Sequence, residues 1–260
     1  MNSKLMRTTF IIGILFFLVL GVLNCSTNVF GHANPISYNP SSNSIFQLDQ
    51  LLPTNITILY SERPEPKVSY IHVLNPFNER VDNNDFKIGT HDERGATVTL
   101  DSPKLSNGTY TVSWLVLSKD DGHITKGSYV FTITDKSETT NTTTTKDKEA
   151  NTFLQRTVID NVTLEYEITP VQVGINTFIV ALKDENNKPL SNINNVIMQF
   201  TNQNQNIGPI IANLKKTGEG VYSITGAYLS QEGKWNVKIT AQRSGQYDLN
   251  HNFKISISSK

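Results

Sequence analysis

Thiols are nearly absent from this sequence. Its 260 residues include one cysteine, Cys25, set in an apolar N-terminal segment. A chain that begins after that segment can form no disulfide, zinc knot, iron–sulfur cluster or cysteine nucleophile. Methionine is almost as scarce: Met1 and Met6 belong to the same segment, which leaves Met198. One thioether cannot build a soft Cu(I) site. Neither sign of charge is in excess, with 23 Lys and Arg against 23 Asp and Glu, so there is no basic footprint for nucleic acid. Helical periodicity is missing as well; from residue 32 to 134 no window longer than a few residues shows it.

The single long apolar run, Thr9 to Leu23, follows Lys4 and Arg7 and is followed by small or polar residues up to Val29-Phe30-Gly31. That order is the one of a secretory signal, with Val29 and Gly31 at the two positions a signal peptidase reads. It predicts cleavage after Gly31, a free amine on His32 and a secreted or periplasmic protein. With Lys4 and Arg7 removed, 21 basic side chains face 23 acidic ones, a net charge of −2. An uncleaved anchor is the alternative, and would be the chain's sole membrane contact; the run is slightly short of the roughly 20 residues that cross a bilayer. A lipid on Cys25 is disfavoured by Asn24 before it.

Beyond the leader the pattern is that of short strands separated by turns. Residues 55–60, 68–73, 95–100, 110–116 and 129–133 are β-branched, aromatic or alternating. Asn107-Gly108 signals a turn, and the last two runs form a hairpin around Asp121 and His123. Residues 137–149, Ser-Glu-Thr-Thr-Asn-Thr-Thr-Thr-Thr-Lys-Asp-Lys-Glu, have almost nothing apolar to bury and read as a solvated linker. Strand-like runs resume at 162–168, 176–182, 196–200, 220–225, 234–240 and 252–257. The fold class is therefore all-β, with two β-sandwich domains of Ig-like or Greek-key type joined by a Thr-rich linker. The expected division is a signal peptide over 1–31, a first domain over 32–134, a linker over 135–153 and a second domain over 154–260. Glycosylation sequons stand at Asn55, Asn107, Asn141 and Asn161.

A candidate metal site lies at the hairpin mouth, in Ser118-Lys119-Asp120-Asp121-Gly122-His123. A free His32 offers its α-amine and ring Nδ1 to one metal. An imidazole from His123 completes a three-nitrogen set and Asp121 adds an oxygen, a combination that suits Cu(II). His-x-Asp pairs are common in loops, so spacing alone does not settle the matter. His72 in a strand-like run, His91 in an acidic loop and His251 in the second domain read as packed or surface residues rather than ligands.

These motifs resemble the CopC family of periplasmic copper-binding proteins. His32-Ala33 with Ser37 and Pro40, Tyr60-Ser61-Glu62, Gly108 to Trp114, Ser118, and Asp121 to Gly127 appear in the family's order. The resemblance implies a Greek-key β-barrel or sandwich whose His32 amine and ring, His123 and Asp121 hold Cu(II), with Glu62 a nearby carboxylate. Two departures, the pair Lys119-Asp120 before Asp121 and Ile124 after His123, should alter the turn rather than the ligands, although Asp120 can compete with Asp121. The Met-rich loop of some members is missing, which implies a Cu(II)-only member. Residues 154–258 resemble a YtkA-like β-domain through turn glycines and core aromatics such as Gly220-Val-Tyr222 and Gly233-Lys-Trp235. The implied function is to buffer copper or deliver it to a membrane transporter of the CopD type, without catalysis. Two other classes stay open: a copper oxidase using an N-terminal histidine brace, as in lytic polysaccharide monooxygenases, and a metal-free pair of Ig-like interaction domains.

Overall fold

The computed structural model describes residues 32–135 and 151–258. The expected leader lies outside them, as does most of the Thr-rich segment. Residues His32–Lys260 form one compact unit. It is all-β: among the described residues the only helical turns are the 3-10 segments Ser102–Lys104 and Gln203–Gln205.

The first half contains β1 (Pro35–Asn39), β2 (Ser44–Gln47), β3 (Asn55–Tyr60), β4 (Tyr70–Leu74), β5 (Lys87–Ile88), β6 (Gly95–Thr99), β7 (Gly108–Leu117) and β8 (Ile124–Thr134). One sheet runs β1-β3-β6-β5; facing it, β4 pairs with β7, β7 with β8, and β2 lies parallel to β8. Alternation builds the core between them. Ile56, Ile58 and Tyr60 of β3 meet Tyr110, Val112, Trp114 and Val116 of β7 in one cluster with Tyr129, Phe131 and Ile133 of β8. A purely apolar side chain among these, such as Ile56 or Phe131, contributes roughly 1.5–3 kcal/mol when fully buried.

The second half contains β9 (Phe153–Ile159), β10 (Val162–Thr169), β11 (Gly174–Lys183), β12 (Ile193–Asn202), β13 (Ile207–Gly218), β14 (Val221–Leu229), β15 (Gly233–Arg243) and β16 (Leu249–Ile257). Strand β13 belongs to both layers. Its first part pairs with β12 in the β16-β15-β12 sheet, and its last residues pair with β14 in the β14-β11-β10-β9 sheet. Trp235, Phe178, Phe200 and Tyr228 fill the space between.

The two halves touch along the outer face of the β7–β8 hairpin, where the sequence pattern leads one to expect half-buried strands. Residues 127–133 of β8 are instead buried without a break. Val130 sits in the core of the second half, and Ile210 of β13 pairs in parallel with Ser128. The Gly208 amide donates to Ser128 Oγ at 2.9 Å, and Thr111 Oγ1 donates to Ser230 Oγ at 2.8 Å. Asn43 receives the Ala227 amide and donates to the Thr225 carbonyl, each at 3.1 Å. Polar residues on that face, Thr111 and Ser128 among them, are thus buried with partners, as burial requires.

Candidate metal centre

The hairpin mouth is built from its own hydrogen bonds. Leu117 of β7 stands opposite Ile124 of β8, and the Ser118 amide closes the loop on the His123 carbonyl at 2.8 Å. Gly122 takes φ 74°, where a side chain is strained, and its amide donates to the Ser118 carbonyl. The Ser118 hydroxyl, buried, accepts the Asp120 and Asp121 amides at 3.1 Å each and donates to Glu62 Oε2 at 2.6 Å. The His123 amide donates to Asp121 Oδ1 at 2.9 Å. Asp121 is thereby held with its other oxygen outward.

The second ligand segment is the arm before β1. Ala33 has no exposed surface. Thr125 Oγ1 donates to its carbonyl at 2.6 Å, and Ser61 Oγ donates to the His32 carbonyl at 2.8 Å. The arm lies flat over the hairpin and leaves His32 above Asp121.

Three nitrogens converge on one oxygen as a result. Asp121 Oδ2 lies 3.1 Å from the His32 backbone nitrogen, 3.0 Å from His32 Nδ1 and 3.1 Å from His123 Nδ1. The two imidazole centroids are 4.3 Å apart. Among the described residues, His32, Asp121 and His123 are the one group of three such side chains whose donor atoms all lie within 4.8 Å. The His123 amide above all, with hydrogen bonds from His32, Ser118 and His123 outweighing desolvation, holds the Asp121 carboxyl well below the usual range. It is an anion at neutral pH. The imidazoles of His32 and His123 are 47% and 62% exposed, so the group lies at the surface. Two imidazole nitrogens and one anionic oxygen, with the His32 backbone nitrogen beside them, are donors of the kind that hold a divalent transition metal.

Of the residues singled out from sequence, these three meet. Glu62 does not join them; its carboxylate is engaged by Ser118. Asp120, expected as a competitor for Asp121, is instead taken by Arg63, whose guanidinium donates to Oδ1 and whose amide donates to Oδ2 at 2.9 Å. His72 stacks on Tyr70 at 4.2 Å, and His251 meets the Tyr166 hydroxyl at 3.1 Å; His91 is exposed. None belongs to the metal group. Ser61 was legible only as part of a motif, and Thr125 and Arg63 carried no sequence signal for their roles.

A family model described as the CopC domain matches residues 39–134. Residues 39–134 are a CopC domain. A second family model, YtkA-like, matches residues 157–240, so the CopC domain is followed by a YtkA-like domain. The match to the CopC domain contains Asp121 and His123 and begins seven residues after His32. Among solved structures, CopC from Methylosinus trichosporium OB3b is 28% identical, over 40% of this chain and 96% of that one, with a TM-score of 0.35. PcoC, described as a methionine-rich copper resistance protein from Escherichia coli, is 24% identical, over 39% of this chain and 98% of that one, with a TM-score of 0.32. No curated protein matches the chain. The CopC domain of this chain, residues 39–134, contains no methionine.

Proposed function

We propose that this chain is an extracytoplasmic Cu(II)-binding protein that buffers copper or passes it to a membrane partner, with His32, His123 and Asp121 as ligands. The observation that carries this reading is the convergence of the His32 backbone nitrogen and two imidazole nitrogens on Asp121 Oδ2. Once the leader is cut after Gly31, that backbone nitrogen is an amine, and amine and Nδ1 of one residue chelate together. Copper is cargo here. An anionic oxygen beside three nitrogens favours Cu(II), and the absence of clustered sulfur removes the donors that Cu(I) prefers. The solvent-facing side of the two imidazoles gives an acceptor room to exchange ligands one at a time, which suits hand-off to a transporter of the CopD type.

The test is a Cu(II) competition titration on protein beginning at His32, beside the same protein with one residue added in front. The added residue turns the amine into an amide nitrogen, which must lose a proton to bind. A drop in affinity of tenfold or more is expected. Equal affinity in both proteins would remove the amine from the ligand set, and no binding in either would end the copper reading. Binding also displaces protons from nitrogen donors, so affinity should fall on acidification, whereas Asp121 stays ionised throughout because its carboxyl titrates well below the usual range.

A further inference from the structure

The two ligand-bearing segments lie 89 residues apart, and three consecutive residues grip both. Ser61, Glu62 and Arg63 follow β3, at the end of the sheet nearest the hairpin mouth. Ser61 holds the arm: its hydroxyl donates to the His32 carbonyl and accepts the Asn34 amide, and its own amide donates to the Asn34 carbonyl at 2.8 Å. Glu62 holds the turn through the Ser118 hydroxyl, which in turn receives the Asp120 and Asp121 amides. Arg63 holds the same turn from the other side. Its guanidinium and amide occupy the Asp120 carboxylate, and its carbonyl accepts the Lys119 amide at 2.8 Å.

We infer that Ser61-Glu62-Arg63 is a positioning strip that sets the His32 arm and the Asp121–His123 turn against each other before copper arrives. This rests on the copper reading above. Its physical content is that the ligand side chains are exposed and that, besides the Thr125 bond to the Ala33 carbonyl and the ligands' own contacts, the strip is what links the arm to the turn; with that link weakened the metal must do the ordering, at the expense of affinity. Glu62 acts in this scheme as a hydrogen-bond acceptor for Ser118 and not as a ligand. Arg63 acts by occupying Asp120, the one carboxylate close enough in sequence to displace Asp121 from the metal.

The experiment uses protein beginning at His32, with Cu(II) affinity by competition, the copper electron paramagnetic resonance spectrum, and the thermal midpoint as a check on folding. Glu62→Gln keeps an oxygen acceptor for Ser118 and removes the charge; Glu62→Ala removes both. The strip predicts wild-type affinity and spectrum for Glu62→Gln and a loss of 10- to 100-fold for Glu62→Ala. Equal losses in the two variants would make the charge the active element and overturn the inference, as would wild-type binding by Glu62→Ala. Should Glu62→Ala not fold, Ser118→Ala reads the same link and carries the same two outcomes. Arg63→Ala is expected to change the spectrum as Asp120 enters the coordination sphere, and Asp120→Asn added to it should restore the wild-type spectrum. An unchanged spectrum in Arg63→Ala would remove Arg63 from the strip. Wild-type protein that binds no copper would sink the copper reading itself, an outcome distinct from all of these.

Discussion

Asp82 keeps a carboxylate inside the first sandwich with none of its side chain exposed. Burial by itself pushes its pKa up; the Arg80 guanidinium and the amides of Val73 and Asn84 outweigh that and hold it below the ordinary value. A carboxyl depressed on folding adds stability that is present above its unfolded value, about 3.9, and lost as pH falls through the folded value. Asp82→Ala should therefore destabilise at pH 7, on the order of 3 kcal/mol, and lose less to acid than wild type. Urea unfolding of both proteins at pH 7 and pH 3 measures it. The candidate metal residues show a matching limit of sequence reading. His32, Asp121 and His123, which the structure brings together, could be singled out because residue type and the resemblance to the CopC motifs point to them. The fate of Asp120 could not, since its partner Arg63 is 57 residues away and an ion pair across loops leaves no local pattern.

Strand alternation made most elements legible. Residues 55–60 coincide with β3, and 110–116 and 129–133 fall within β7 and β8, because one face of each is apolar. Strand β13 escaped notice. It is not among the runs read from the sequence, and its place is fixed by neighbours on several sides: β12, β14 and the bridge to Ser128. Strand β8 was found, but its unbroken burial was not foreseen, since small polar residues on the outer face resemble solvent-facing ones. Packing inside the hairpin is tight where Gly127 lies on Trp114. A methyl there would stand 2.7 Å from indole Cζ2 and 3.1 Å from Cε2, so the ring must move. Gly127→Ala is expected to cost about 1–3 kcal/mol and to shift the Trp114 fluorescence. A denaturation midpoint equal to wild type would show that the ring yields freely.

The contact between the halves couples the CopC domain to the YtkA-like domain through Asn43, Ser128, Thr111 and a buried bond from Gln231 to the Asn75 carbonyl. Protein from His32 to Lys260 should unfold in one calorimetric transition. Gly226 is the weak point to probe, because a Cβ there would meet the Asn43 side-chain oxygen and the Tyr228 ring at 2.6 Å. Gly226→Val should expel Asn43 and resolve the melt into two transitions. One unchanged transition would mean that the hydrophobic contact around Val130 couples the halves unaided. None of this was legible in the sequence, where the Thr-rich stretch suggests two bodies on a tether; contact between domains depends on surfaces that no local pattern records.

The seat of Ala33 has a consequence for how the protein is made. Its methyl is fully enclosed and its carbonyl is tied to Thr125, so the residue before it has a fixed place over Asp121. Successive Cα atoms are about 3.8 Å apart. A peptidase that cuts one residue early leaves the amine a full step beyond the imidazoles, and one that cuts a residue late removes His32 altogether. Under the copper reading, and with cleavage after Gly31, the fold thus acts as a ruler for its own maturation: miscut molecules bind copper more weakly, so the copper-loaded pool is weighted toward correctly cut chains.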